Sequence, residues 1–397
     1  MTFSKKIFHG LASLKLSLAL LLCAFLLVFF GTLAQVELGI HGVQTVYFKS
    51  FFVAWPYPQL WPGGEVLGAW LKVPLLGGYS LGGLILINLT CAHIRYFSFK
   101  RSKIAIVLVH VGLGVLVLSG FVSAYFQEES QMCLTLNEAK QYTEDFFQNE
   151  LVLIDTSQAS QDRVWAIPQC LLRDGSVFDE KGFPRVQVVS FFKNSYVLRK
   201  NDLKEPLPCL SPTEGLGAAR DLIAIVDKSH KPDAVDTASA YVQLFNEGKP
   251  LGLWLVSNIL DEKFPPQTLK IQENTYQLAL RFQRTYFDFQ FILLEFKHEK
   301  HPGTDIPKSF SSLIRIQNKD TKEDREVLIS MNRPLRYKDY TFYQSSFSED
   351  ERSSILQVVK NPGWAVPYAG IALVSLGLCL QFLKHLMRFL KRHEANA

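Results

Sequence analysis

The sequence predicts a membrane protein: four transmembrane α-helices with a large β-rich extracytoplasmic domain between the third and fourth. Three observations carry that prediction. Four apolar stretches each approach the ~20 residues that a membrane crossing requires. Lys and Arg cluster in three short segments that flank them. The long interval between the last two stretches is filled with short β-branched and aromatic runs separated by turn residues. Composition agrees, since 48% of the 397 residues are hydrophobic and 20% charged, too apolar for an ordinary soluble protein and too charged for helical spans alone.

The spans are Leu16 to Leu33, Val73 to Ala92, Ile104 to Phe126 and Trp364 to Leu383. The apolar core of the first exceeds the ~7–15 residues of a signal-peptide h-region, and GTLAQVELG shows no small-residue cleavage pattern, so it reads as a retained anchor. Lys5, Lys6 and Lys15 precede the first span; Arg95, Lys100, Arg101 and Lys103 lie between the second and third; Lys384, Arg388, Lys391 and Arg392 follow the fourth. By the positive-inside rule those segments are cytoplasmic. Both termini are then inside, and the chain divides into 1–35 (flank and first span), 36–72 (outer interfacial segment), 73–126 (second and third spans), 127–363 (outer domain) and 364–397 (fourth span and basic tail). The expected location is the cytoplasmic, or inner, membrane, crossed several times. The formal net charge of +5 comes without a long basic stripe, which excludes nucleic acid as an expected partner.

Segment 36–72 concentrates aromatic residues, among them Tyr47, Phe48, Phe51, Phe52, Trp55 and Trp61, and is broken by Pro56, Pro58 and Pro62. Prolines at that density rule out one continuous helix. An aromatic belt at headgroup depth is the simpler reading, and a platform over a flat hydrophobic ligand the sharper one. In the outer domain TYFDFQFILLEF (Thr285 to Phe296), SSLIRIQ (Ser311 to Gln317) and REVLISM (Arg325 to Met331) predict strands. Ala218 to Val226 and Asp236 to Glu247 are weakly patterned and read as helical or as an insertion.

Familiar catalytic constellations do not occur: no HExxH, phosphate-binding loop, GxSxG elbow or dinucleotide fingerprint is present. Small residues in LGGYSLGG and GVLVLSG point to close helix packing. His298 and His301 are spaced as a possible metal pair, but HPG marks a turn and a solvated loop is the better reading. Cys133, Cys170 and Cys209 fall in the outer domain without a CxxC or CxxCH pattern. The chain therefore lacks a dithiol and a covalent haem-attachment site of its own; an outer thiol could still exchange with a thioredoxin-like reductant.

That leaves His110, the sole ionisable side chain between Ile104 and Ala124. An imidazole in hydrocarbon needs a bond or a ligand. Ligation of a metal or haem and a hydrogen bond across a helix interface are equally consistent with the residues alone. His110 lies ~10 Å from the basic boundary at Lys103 at the helical rise, whereas His93 lies at the cytoplasmic edge beside Arg95. Their different depths predict that one flat cofactor is not held by both without marked tilt.

Several stretches resemble the ResB proteins of system II cytochrome c biogenesis: GTLAQVELGI and TVYFKSFF after the first span, LGGLILINLTCAHI in the second, HVGLGVLVLSGFVSAYF in the third, and MNRPLRYKDYTFYQSSF with NPGWAVPYAGIALVSLGL near the end. The most specific pieces are FYQSSF and NPGW. The resemblance implies four spans and an outer domain, and a role in carrying haem b across the membrane for covalent attachment to apocytochrome c at CxxCH. It implies a partner of the ResC or CcsA type, and His110 as an axial haem ligand whose counterpart comes from that partner; His93 is the second candidate. This chain lacks the tryptophan-rich WWD segment of fused synthases, so the resemblance implies an accessory subunit of a holocytochrome c synthase rather than a self-sufficient enzyme. Two other readings keep the same topology: a haem-free scaffold whose outer domain binds another protein, and a small b-type electron-transfer cytochrome.

Overall fold

A computed structural model describes residues 3–56, 71–96, 103–158, 161–202, 210–227, 236–300, 303, 307–348 and 352–396. The chain forms two compact units, one of residues 1–128 with 231–233 and 360–397, the other of 129–230 with 234–359.

The first unit is helical. A short amphipathic helix α1 (Phe3–Leu11) precedes the long α2 (Leu14–Val43), which bends at Gly39, where φ is 67°. A wide π turn (Gln44–Phe48) leads to the hairpin β1 (Phe52–Pro56) and β2 (Lys72–Leu76), then to α3 (Gly78–Tyr96), α4 (Ile104–Phe126) and, after the second unit, α5 (Ala365–Asn396). Among the described residues three helical segments are long and apolar enough to cross a membrane: Leu14–Val36, Ile104–Phe126 and Ala365–Glu394. Their apolar side chains stay largely exposed, Leu14 at 83% and Phe382 at 69%. In water such a surface would be unstable, whereas lipid solvates it.

The second expected span differs from its prediction. Val73–Leu76 belongs to strand β2, because Pro74 suits an edge strand and not a helix interior. The helix α3 that follows contains Asn88, His93 and Arg95 and is not among the three. Asn88 is 5% exposed. It accepts from the Ser17 hydroxyl at 2.7 Å and donates to the carbonyls of Leu11 and Ser13, tying α3 to the α1–α2 junction. Leu20, Leu27 and Ala34, spaced by seven, form the buried stripe of α2 and pack with Tyr47, Trp55 and Leu81. Two of the expected belt aromatics are thus interior: Tyr47 is 1% and Trp55 5% exposed, while Phe51 and Phe52 remain outside. Trp61 lies outside the described residues.

Glycines set the closest helix contact. A Cβ at Gly112 of α4 would lie 2.8 Å from the Gly370 carbonyl oxygen, and one at Gly377 of α5 would lie 2.8 Å from that of Ala105. In α4 the tight contact thus falls on Gly112, outside the GVLVLSG run; within the run a Cβ at Gly114 would lie 3.7 Å from Leu89, an ordinary contact, and Gly120 has nothing within 4 Å. In the LGGYSLGG run, Gly77 and Gly78 abut the backbone of Ser50 and Phe48.

The second unit is β-rich. Its strands are β3 (Glu128–Thr135), β4 (Ala139–Asp155), β5 (Arg163–Pro168), β6 (Val177–Phe178), β7 (Arg185–Phe192), β8 (Ser195–Arg199), β9 (Leu222–Val226), β10 (Ser239–Asn246), β11 (Lys249–Ser257), β12 (Gln267–Ile271), β13 (Asn274–Lys300), β14 (Pro307–Asn318), β15 (Glu323–Ser330), β16 (Leu335–Tyr337), β17 (Tyr340–Phe347) and β18 (Ser353–Lys360). A ten-stranded sheet runs β15-β14-β13-β4-β3-β18-β17-β16, with β12 on β13 and β5 on β4. A second sheet runs β11-β10-β7-β6. The 27-residue β13 is the spine of the larger sheet. Its first half shares a core with the four-stranded sheet through Leu278, Leu280, Val242 and Val256. Its second half, with Phe289, Phe291 and Leu293, packs on Ile314, Phe342 and Leu356.

Among the described residues, the weakly patterned 218–247 region is mostly strand. Among its described residues only the end of the short helix Gly215–Ala219 is helical, whereas Leu222–Val226 pairs with β8 and Ser239–Asn246 sits between β7 and β11. Ser239 to Val242 are buried on both faces, so the period-2 alternation that marks a half-buried strand is absent from the sequence. His298 is half-buried on β13 with its ring 4.5 Å from that of Phe347, rather than in a solvated loop; His301 lies outside the described residues.

Candidate functional site

The two singled-out histidines meet. The rings of His93, near the end of α3, and His110, in the second turn of α4, have centroids 5.8 Å apart and planes at 42°. The rings come together although the sequence sets the two residues at different distances from the basic boundary. Measured from Tyr96 and Ile104, the two positions differ by only ~5 Å along the helices at the helical rise. Side chains tilt toward the N-terminus of their own helix. On antiparallel helices that tilt carries His93 inward and His110 back toward the loop, so the rings converge.

His110 Nδ1 is 2.7 Å from the Ile106 carbonyl oxygen. A carbonyl can only accept, so Nδ1 carries a proton, and in the neutral imidazole Nε2 then holds a lone pair. This local bond fixes both the tautomer and the ring orientation, the arrangement usual for a ligating histidine. The hydrogen bond that accounts for a histidine in an apolar helix is thus made within α4, and it leaves the outer nitrogen available as a donor of electrons.

Both rings line a cavity of about 160 Å³ together with Leu89, Ala92, Ile106 and Val107, and with Tyr96 and Lys103. Two imidazole nitrogens against aliphatic walls form a donor set suited to haem iron, and Lys103 supplies a positive charge to the same cavity. The volume is below the ~300–1,000 Å³ of sites that enclose a small molecule. The cavity can therefore form one wall of a haem site but does not enclose a porphyrin. From the sequence Lys103 is a boundary charge and Tyr96 carries no signal; nothing in their spacing marks them as cavity residues.

No disulfide joins the outer cysteines among the described residues. Cys133, on β3, is half-buried and Cys170 is exposed, and both keep their thiols; Cys209 lies outside the described residues. Among the described residues no group of three or more His, Cys, Asp or Glu could hold a metal ion. FYQSSF forms most of β17, and its Gln344 is 7% exposed. Gln344 Oε1 accepts from the Ser312 hydroxyl at 2.7 Å and its Nε2 donates to Ser354 at 3.0 Å, a closed polar network inside the second core. That explains a polar residue in the most specific stretch on packing grounds.

These features define a class: a membrane protein with apolar helices at both ends of the chain, a large β-rich domain, and two histidines brought together between helices. Residues 266–354 match the ResB-like family, a segment that contains β13 to β17 and FYQSSF. Over 201 residues, half of this chain, the sequence is 28% identical to Protein NrfI of Wolinella succinogenes. The similarity to the ResB-like family lies within the β-rich unit. The matched residues span 21% of the length of that relative.

Proposed function

We propose that this chain is a subunit of the system II cytochrome c synthase complex, helping to carry haem across the membrane and deliver it to apocytochrome c. In this reading all four spans cross the inner membrane, both termini are cytoplasmic, and a WWD-containing partner of the ResC or CcsA type completes the site. The observation that carries the proposal is the convergence of His93 and His110 on one apolar-walled cavity, with His110 Nε2 left as a lone-pair donor. The ResB-like segment supports the pathway.

Haem is the cargo here, and its iron takes an imidazole lone pair. His110 Nε2 provides one such pair, Ile106 holds the ring in register through Nδ1, and Leu89, Ala92, Ile106 and Val107 keep water from that side. Lys103 places a positive charge where a carboxylate substituent of the cargo could be steered. A cavity this small leaves the opposite side of the cargo to the partner, which suits a transient carrier better than a permanent cofactor site.

The test is to purify the complex from cells expressing His110→Ala and His93→Ala. Expected outcomes are reduced haem content and impaired cytochrome c maturation for His110→Ala, restored in part by added imidazole. Full haem content with normal maturation in His110→Ala would remove the assignment. The 5.8 Å ring separation also favours a second reading, a b-type electron-transfer cytochrome, which requires paired histidines. Stable redox cycling of haem in the isolated chain, abolished equally by either substitution, would select that reading.

A further inference from the structure

The last helix outruns its neighbour. α5 is helical over 32 residues, ~48 Å at the helical rise, against a hydrocarbon core of ~30 Å. Gly377 of α5 sits against the Ala105 carbonyl oxygen, and α4 begins only one residue before Ala105, at Ile104. Past that level α5 has no α4 beside it. The ~20 residues that a crossing requires are used up at Lys384, and the remainder projects by ~18 Å. Every residue from His385 to Glu394 is exposed.

The side chains of this extension are sorted by face. Leu383, Leu386, Met387 and Leu390 recur at i, i+3, i+4 and i+7, with Phe382 and Phe389 on the same side, so the apolar arc covers ~160° of the helix. Lys384, Arg388, Lys391 and Arg392 recur at i, i+4, i+7 and i+8 and occupy the opposite side. Glu394 is the sole acid from Trp364 onward. A basic flank that only sets topology needs the charges and not an apolar face. Here apolar residues persist at helical spacing beyond the boundary, with Phe389 63% and Leu390 50% exposed. A helix this short with neither face covered is marginal in water, so the apolar arc calls for a cover.

Two observations say which cover fits. The arc is wider than the seam that one partner helix, such as that of a second copy, would bury. It also continues the lipid-facing surface of the span, because Leu376 and Cys379, exposed on the same face of α5, lead directly into Leu383 and Leu386. The basic side complements a layer of negative headgroups. We propose that the extension of α5 docks on the anionic lipid surface of the membrane, its apolar arc in the acyl boundary and Lys384, Arg388, Lys391 and Arg392 among the lipid phosphates. A helix longer than the hydrocarbon thickness tilts or kinks, and a bend at the end of the span lays the extension along the surface. The inference is independent of haem handling by the helices.

The full chain is reconstituted in vesicles of phosphatidylcholine alone and of phosphatidylcholine mixed three to one with phosphatidylglycerol, and amide hydrogen exchange over 384–394 is followed by mass spectrometry. Exchange is expected to be about twentyfold or more slower in the anionic vesicles, since each Lys or Arg near an anionic surface is worth about fivefold. Lys391→Gln combined with Arg392→Gln should remove most of that difference with an unchanged melting temperature, because both positions are exposed and Gln matches Lys and Arg in helix propensity. Phe389→Gln combined with Leu390→Gln should remove it as well, which separates docking of the apolar arc from simple attraction of charge. Equal exchange in the two compositions overturns the proposal, as does protection in the anionic vesicles that neither double variant lowers. Protection in both compositions that rises with protein density and comes with a crosslinked dimer assigns the face to a second copy and overturns it too.

Discussion

Gly112→Ala isolates the energetic role of the closest helix contact. The added Cβ would lie 2.7 Å from Val374 Cγ2, 2.8 Å from the Gly370 carbonyl oxygen and 2.9 Å from the Val374 backbone nitrogen. Two of those atoms are backbone, so a rotamer change cannot relieve the clash and α4 and α5 must separate. Overpacking of this kind costs ~1–3 kcal/mol. Alanine also gains up to ~1 kcal/mol over glycine in a helix, which would mask part of the loss in a single variant. Gly120→Ala provides the control, because nothing lies within 4 Å of the position its methyl group would take and the propensity gain is the same. The difference between the two variants is then the contact alone, ~1–3 kcal/mol. Equilibrium unfolding in mixed micelles, followed by far-ultraviolet circular dichroism, reads it. Equal stability for the two variants, or greater damage from Gly120→Ala, would refute the assigned packing. The contact also bears on the site: residues two apart on a helix point ~200° apart, so Gly112 on one face of α4 seats the helix that presents His110 on the other.

Two further predictions concern the β-rich unit. Arg281 and Glu150 form an ion pair at 2.9 Å with side chains only 13% and 7% exposed, so Arg281→Met strands a buried carboxylate and should cost ~3–5 kcal/mol, while adding Glu150→Leu should recover most of it; a double variant no more stable than the single would contradict this. Acid sensitivity follows from Asp324, held below the usual carboxylate range by its hydrogen bond to Arg315, from Glu323, lowered by the Tyr337 hydroxyl and Arg325, and from Asp288, lowered by Lys338. Their folded values lie below the unfolded ones, so the stability they contribute is complete above the ordinary carboxylate range near pH ~4 and is lost as pH falls through the lower folded values. Melting temperature should hold above that range and drop below it, with a shallower drop in Asp324→Asn; identical profiles would exclude the Asp324–Arg315 pair from the acid transition.

The apolar helices at either end and the strands β13, β14 and β15 were legible in the sequence because their signals are local. Leu14–Val36 and Ile104–Phe126 need only length and hydropathy, and SSLIRIQ alternates along its own chain. β10 was not legible, since Ser239 to Val242 are covered on both faces and a fully buried strand has no periodicity to show. Val73–Leu76 misled for a related reason: an apolar strand packed against a helix has the composition of a helix end.

By itself the sequence determined that this is a membrane protein with a β-rich domain and that His110 requires an explanation, because partition between water and lipid is a sum over single residues. Only the tertiary structure decided that His93 and His110 meet, that Gly112 rather than Gly120 carries the helix contact, and that α5 outruns α4 with both of its faces exposed. Each of these depends on side-chain tilt, helix facing or where one helix ends beside another, which relate residues distant in the chain and are not properties of any one segment.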